Sequence, residues 1–375
     1  MFTERPNRNI ISRQAINERI FRTAKQDKSG RRSAGPESAV DVAAVLLAYL
    51  QRRLGLDGLS YSADPTPVAN GWEAYIFTFR LQGTGLPQDW DRPLMLRIHA
   101  SSQGLVRARH EFQVQRHLVR LGYPAPETLL LEESCDLFGG PFLIMERISG
   151  PTVLEAMLQR PWRPLLFPRM MAAAQARLHN LPADGFPAPP GPFLARHLDQ
   201  LRATIDQYDF SGLAPGLEWL QTHRPPEPAR ASILHLDLHP LNLIERSDGL
   251  LAVIDWTYSD CGDPHADVAT TLFIQECFPV DGASVWQRLA IVLGRPLVAA
   301  CYLRAYRHHR PLDDGRLAYY RAWAALRALA RYARCARAGP EVCDTRAALV
   351  SHLAPDLLAG LCRYFRRWTG VAVKL

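Results

Sequence analysis

Residues 233–256 read ILHLDLHPLNLIERSDGLLAVIDW, an apolar run broken by His235, Asp237, Asn242 and Asp255. Local pattern predicts two short β segments, 231–234 and 250–254. Asp248-Gly249 is a turn signal between 243–245 and the second segment. Strands this apolar belong inside a fold. Their ends nevertheless carry ionisable groups, which a plain core excludes because an unpaired buried charge costs several kcal/mol or more.

Asp237 and Asn242 lie five residues apart on one predicted loop, and Asp255 ends the strand that follows. Phosphoryl transfer from ATP needs a carboxylate to orient the attacking hydroxyl and accept its proton. It also needs oxygen ligands for magnesium on the phosphates. D-x-x-x-x-N followed by a strand-terminal Asp supplies those groups in the arrangement known for protein kinases. Turn capping by Asp237 and Asn242, and helix capping by Asp255, is the competing reading for each residue alone. The three together at this spacing favour chemistry.

The chain has 375 residues, 47% of them apolar and 22% charged, enough for a two-lobed soluble protein. No apolar run approaches the ~18 residues of a membrane span, and the polar start MFTERPNRNIISRQAINERIF lacks a secretion signal. A cytoplasmic protein without a membrane partner is expected. Seven scattered cysteines without a CxxC pair suggest free thiols. Lysine occurs only at Lys25, Lys28 and Lys374, so a cation inside the folded body must be arginine or histidine. GK[ST] and GxGxxG phosphate loops are absent. Residues 285–375 carry 16 Lys or Arg against 5 Asp or Glu, a net of +11, so the rest of the +7 chain is net −4.

Composition divides the chain into a polar, mobile extension over 1–36, a strand-rich lobe over 37–148 and a mostly helical lobe over 149–375. In the first lobe, a helix stops at Gly55. Tyr75, Phe77, Phe79 and Leu81 alternate as a strand, as do Leu94, Leu96 and Ile98. A helix then stops at Gly122, and two strands flank Gly139-Gly140. In the second lobe, Met170, Ala174, Leu178 and Leu181 share one helical face. Helices are expected over 266–277, 285–293, 297–309, 316–338 and 345–368, with 233–256 as the one clear β element. The fold class is therefore α+β, with a small β-rich N-terminal lobe and a larger helical C-terminal lobe.

HLDLHPLN, then VIDW, then GDPHADVA resembles the aminoglycoside phosphotransferase and choline kinase-like superfamily, whose pattern is roughly HGDLHPGN, IDW, GDPxxDLA. The resemblance spans about residues 60–340. Residues 302–332, YLRAYRHHRPLDDGRLAYYRAWAALRALARY, look more like the branch associated with acyl-CoA dehydrogenases than like dedicated antibiotic kinases. It implies a bilobed protein-kinase-like fold and an ATP- and magnesium-dependent kinase acting on a small-molecule hydroxyl. Asp237 becomes the catalytic base, braced by His235, and Asn242 and Asp255 become the metal ligands. Glu146 to Ile148 become the adenine hinge, and Asn70-Gly71 a turn over the phosphates. Asp263 and Asp267 would hold a turn and a helix start. Arg97, with Glu111 as its partner on the next helix, takes the phosphate-binding place that protein kinases give to lysine. An ordinary surface ion pair is the alternative for those two. Leu236 and Leu241 stand where the family has glycine, and a leucine takes positive φ only under strain.

A polycationic acceptor needs an acidic site, and the basic C-terminal quarter argues against one. Tyr302, Tyr306, Tyr319, Tyr320 and Trp323, interleaved with arginines, suit an anionic or partly apolar acceptor. A solvated arginine face is the alternative. Nucleic acid is not expected, because no stacking motif accompanies the charge. Two other functions stand beside the kinase: a nucleotide-binding pseudokinase, suggested by the two loop leucines, and a basic adaptor without turnover.

Overall fold

The computed structural model describes residues 42–68, 74–99, 103–160, 162–163, 165–277, 285–338 and 355–375. The extension 1–36 and the Asn70-Gly71 turn lie outside the described residues. The chain forms two compact units. One takes the described residues up to Phe112 together with Glu127–Arg147; the other takes Gln113–Pro126 and the described residues from Ile148 onward.

The first unit is one antiparallel five-stranded sheet with helices on both faces. Its strands are β1 (Ser60–Pro67), β2 (Tyr75–Gln82), β3 (Leu94–Ile98), β4 (Thr128–Glu132) and β5 (Phe142–Glu146), in the order β1-β2-β3-β5-β4. Strand alternation sorts the two faces. Phe77, Phe79, Leu81, Leu94, Leu96, Ile98, Phe142 and Ile144 pack with Val42, Leu46 and Leu50 of α1 (Val42–Leu54). Leu143 and Met145, with Met95, turn the other way. They meet Ala108 and Phe112 from the first half of α2 (Gly104–Arg120). Gly55 and Gly122 follow these helices at φ 68° and 70°, the left-handed stops that sequence predicts. β1 escapes the sequence reading because Pro65 and Pro67 lie in it. It is an edge strand, where proline's missing N–H costs no ladder bond.

The second unit is built on helices α3 (Val153–Gln159), α4 (Leu166–His179), α5 (Phe193–Tyr208) and α6 (Ala214–Thr222), followed after the β segments by α7 (Pro264–Cys277), α8 (Val285–His309), α9 (Asp314–Ala338) and α10 (Pro355–Thr369). The buried face of α4 centres on Phe167, Met171, Ala172, Gln175, Ala176 and Leu178, leaving the expected Met170 and Ala174 on its flank. α8 runs unbroken through Pro296, where sequence suggested two helices.

Two small sheets carry the loop residues. β7 (Leu243–Glu245) pairs with β8 (Leu251–Val253) across the predicted turn. β6 (Ser232–Leu234) pairs with β9 (Asp260–Gly262), a strand outside the one stretch expected to be β. Gly150, at φ 140°, lets the start of this unit run against β7: a Cβ there would lie 2.1 Å from the Glu245 carbonyl oxygen. Among the described residues five cysteines are free, but Cys335 is disulfide-bonded, so the all-thiol expectation fails at that position. Bonding depends on where the fold brings sulfurs together, which spacing along the chain does not disclose. Among the described residues no helix is long and apolar enough to cross a membrane.

Candidate active site

β6 delivers the chain to His235, and at Leu236 the backbone turns left-handed, φ 59°. For leucine that conformation costs about 1–2 kcal/mol. It persists because a buried carboxylate seizes both neighbouring amides. Asp267 of α7 accepts from His235 N at 3.0 Å and Leu236 N at 2.6 Å, and pairs with His179 Nε2 at 2.9 Å. Burial opposes the charge on Asp267, but His179, His235 and the backbone donor outweigh it and bring its pKa to about 2. Tyr306 meets the far nitrogen of His179 at 2.6 Å, so the brace extends from α7 through α4 to α8. Asp267 is thus more than the helix-start residue that sequence suggested. Asp263 does hold its turn, accepting from His265 N at 3.0 Å and from Arg316 Nε at 2.9 Å.

Beyond Leu236 the loop closes on itself. His235 is fully buried; its Nε2 lies 3.0 Å from the Ile254 carbonyl, and its Nδ1 accepts from Asp237 N at 3.2 Å. Asn242 Nδ2 donates to the Asp237 carbonyl at 3.0 Å and to Asp237 Oδ2 at 3.2 Å. Ile254 N donates to the Asn242 carbonyl at 3.0 Å, which sets Asp255 beside Asn242 at the end of the β7–β8 hairpin. Asp255 is itself left-handed, φ 64°, and accepts from Thr257 Oγ1 at 2.8 Å. His239 stands 3.7 Å from Asp237. Burial opposes its charge, yet Asp237 and Asp255 raise its pKa above the usual value. Leu241 is 37% exposed and has no positive φ, so leucine costs nothing in backbone strain there.

These donors fit magnesium. The Nδ2 bonds of Asn242 leave its amide oxygen as the remaining ligand atom, and Asp255, one residue past the Ile254 N–H bonded to the Asn242 carbonyl, offers a carboxylate. Both are hard oxygen donors. Among the described residues no group of three His, Cys, Asp or Glu could hold a metal alone. A two-donor site completed by phosphate oxygens and water is how magnesium is commonly held.

In the first unit, Arg97 of β3 projects to the α2 side of the sheet. Its Nη1 meets Glu111 Oε1 at 2.9 Å, with side chains 8% and 0% exposed. It is no surface pair. His99 approaches the other Glu111 oxygen at 3.4 Å. The Glu146 N–H is taken by the Glu127 carbonyl at 2.8 Å, and Arg92 lies 3.7 Å from its carboxylate. Ile148 is buried, and among the described residues nothing accepts from its backbone N–H.

The expected aromatic lining fails. Tyr302, Tyr306, Tyr319, Tyr320 and Trp323 are all at most 4% exposed and belong to the core. Tyr302 bonds Gln175, and Tyr319 Oη donates to the Leu220 carbonyl at 2.8 Å. Their spacing on α8 and α9 is that of packed helix faces. Many nearby arginines are spent on structure, Arg316 on Asp263 and Arg321 on Glu276.

The chain is 30% identical over 210 residues to mouse acyl-CoA dehydrogenase family member 10, covering 51% of this chain and 19% of that protein. It is 28% identical over 222 residues to chicken acyl-CoA dehydrogenase family member 11, covering 56% and 26%. It therefore spans about a fifth to a quarter of those relatives. Among solved structures it shares its fold with an aminoglycoside phosphotransferase APH(4)-Ia mutant in ternary complex with ADP and hygromycin B. The TM-score is 0.55 at 20% identity, over 85% of this chain and 98% of that one. Amicoumacin kinase in complex with AMP-PNP, Ca2+ and Ami gives a TM-score of 0.55 at 16% identity, over 86% and 92%. The family model described as phosphotransferase enzyme family, APH, matches residues 64–329, well over half of the sequence. The chain has the α+β, bilobed kinase-like fold and belongs to that phosphotransferase family.

Proposed function

We propose that the protein is an ATP- and magnesium-dependent kinase that phosphorylates a hydroxyl group of a small molecule. The observation that carries this reading is the meeting of Asp237, Asn242 and Asp255 at the end of one hairpin, with the Asn242 amide turned so that its oxygen is left for a ligand. Asp237 accepts the proton of the acceptor hydroxyl as that oxygen forms its bond to the γ-phosphorus. The bond from that phosphorus to the bridging β–γ oxygen breaks, and ADP leaves. Magnesium, held by Asn242 and Asp255, would neutralise charge on the phosphates. His235 holds the loop by its two backbone contacts. In the first unit, Arg97, aimed by Glu111, is the phosphate-binding cation, and guanidinium suits that task through paired N–H donors. The adenine edge is read by the hinge through Ile148, whose N–H is uncommitted among the described residues, and by the carbonyl of Glu146.

The relatives bearing the same kinase-like region, and the fold-sharing kinases solved with nucleotides, support this reading. The acceptor is anionic or partly apolar, not a polycation, because the residues after 284 carry a net charge of +11. The test is transfer of label from γ-labelled ATP to pooled metabolites and antibiotics, together with Asp255→Ala. The variant should weaken magnesium-dependent nucleotide binding far more than metal-free binding. Equal magnesium dependence in variant and wild type would reduce Asp255 to a structural carboxylate.

A further inference from the structure

Arg327 has a setting unlike that of Arg316 and Arg321 on α9. Arg316 and Arg321 each meet a carboxylate. Among the described residues none pairs with Arg327. Its guanidinium lies over the Trp323 indole, 4.5 Å from the ring centroid, and its Nη2 reaches the Leu236 carbonyl at 3.3 Å. One turn on, Arg331 lies 5.0 Å over the ring of Tyr258. Trp323, Arg327 and Arg331 follow at i, i+4 and i+8, on one stripe of the helix. Although part of Arg327 reaches solvent, surrounding atoms displace enough water to bring its pKa to about 10. Arg331 adds repulsion and Asp237 opposes it.

One long bond to a neutral carbonyl and an aromatic face are thin compensation for a desolvated cation beside a second cation. Were Arg327 only a prop for the loop, a neutral donor would serve without that cost. The carbonyl it touches belongs to the residue immediately before Asp237, so the cation sits one residue from the base that must receive the acceptor hydroxyl. Resting on the kinase reading above, we infer that Arg327, supported by Arg331, selects the acceptor. It binds the carboxylate or phosphate of a small hydroxylated acid whose hydroxyl reaches Asp237. Oxyanions and paired guanidinium donors match in geometry, which lysine would not reproduce.

The test is calorimetric titration of the protein, with its nucleotide site filled by magnesium AMP-PNP, using inorganic phosphate and malonate as separate probes. At least one should bind saturably, and which one does distinguishes a phosphorylated from a carboxylate acceptor. Arg327→Gln keeps a donor for the Leu236 carbonyl but removes the charge, and should weaken binding ten- to a hundredfold. Arg327→Lys should recover part of that loss. Arg331→Gln should weaken binding too, and decides the matter by the same criterion if Arg327→Gln does not fold. No saturable binding of either probe to wild type, or unchanged binding in the folded glutamine variants, overturns the inference. The kinase reading fails separately: Asp237→Asn that still transfers label sinks the base, whatever Arg327 binds.

Discussion

Glu111 in the first unit and Asp267 in the second are both fully buried carboxylates, but they hold different things. Asp267 takes two backbone amides and a histidine, and so fixes the path of the chain through a conformation leucine resists. Glu111 takes the side chain of Arg97 and points a charge. One carboxylate shapes a backbone, and the other aims a cation. Burial makes both effective, because a carboxylate without water must find its donors in the protein. The difference predicted on substitution is stability for Asp267 and, on the kinase proposal, nucleotide phosphate affinity for Glu111 and its arginine.

The largest expected effect on that contrast comes from Asp267→Asn. Its amide would face one of the two backbone N–H groups with a donor, and the His179 interaction loses its charge. A loss of roughly 3 kcal/mol in unfolding free energy is expected, because one buried backbone donor is left facing a donor and the remaining bonds lose their charge. Acid should act the same way. A carboxyl held at about 2, below its unfolded value, contributes stability above the unfolded pKa and loses it as pH falls through the folded one. Wild type should therefore lose stability between about pH 4 and pH 2, and Asp267→Asn should lose less over that window. Parallel denaturation profiles would mean another group carries the loop.

Arg97→Ala tests the other carboxylate's purpose. Losing one charge-assisted contact is worth roughly 1.5–3 kcal/mol, so ATP affinity should fall by about one to two powers of ten. Adenosine should bind nearly as before, and Arg97→Lys should recover only part of the loss. An unchanged ratio of ATP to adenosine affinity would leave the pair as packing.

The smallest effect separates the two leucines that stand where the resembling family has glycine. At Leu236, glycine escapes the left-handed strain that alanine keeps, and both lose the same buried side chain except for one methyl. Leu236→Gly should therefore be more stable than Leu236→Ala by about 1 kcal/mol. At Leu241, without positive φ, the order should reverse, because glycine only adds entropy to the unfolded chain. Thermal or denaturant midpoints of the four variants decide it. The same order at both positions would remove left-handed strain as the reason Asp267 is needed.

Much of this was legible in the sequence because it is local. The alternation of β2 and β3, the glycine stops of α1 and α2, and the Asp248-Gly249 hairpin each need only a few neighbours along the chain. So did the placing of Asp237, Asn242 and Asp255 at strand ends. The parts that escaped are those that tertiary pairing decides. β1 is a strand despite two prolines because it is an edge, and β9 exists because β6 needs a partner. Asp267 looked like a helix-start residue because its partners are 31 and 32 residues back and at His179. The buried tyrosines of α8 and α9 looked like a binding face because arginines interleave them, and periodicity alone does not say which side of a helix faces the core. Arg327 stands out only once Arg316 and Arg321 are seen to meet carboxylates and it is seen against the Leu236 carbonyl and the Trp323 ring.

Single-turnover transfer of label from γ-labelled ATP by Asp237→Asn tests Asp237 as the base most directly. The variant keeps the shape of the carboxylate and removes the proton acceptor. Transfer should fall roughly 10²–10⁴-fold, while magnesium-ATP affinity changes little. If ATP binding is lost while the transfer rate at saturation persists, Asp237 is not the base, and the hairpin end that joins it to Asn242 and Asp255 is not the catalytic centre.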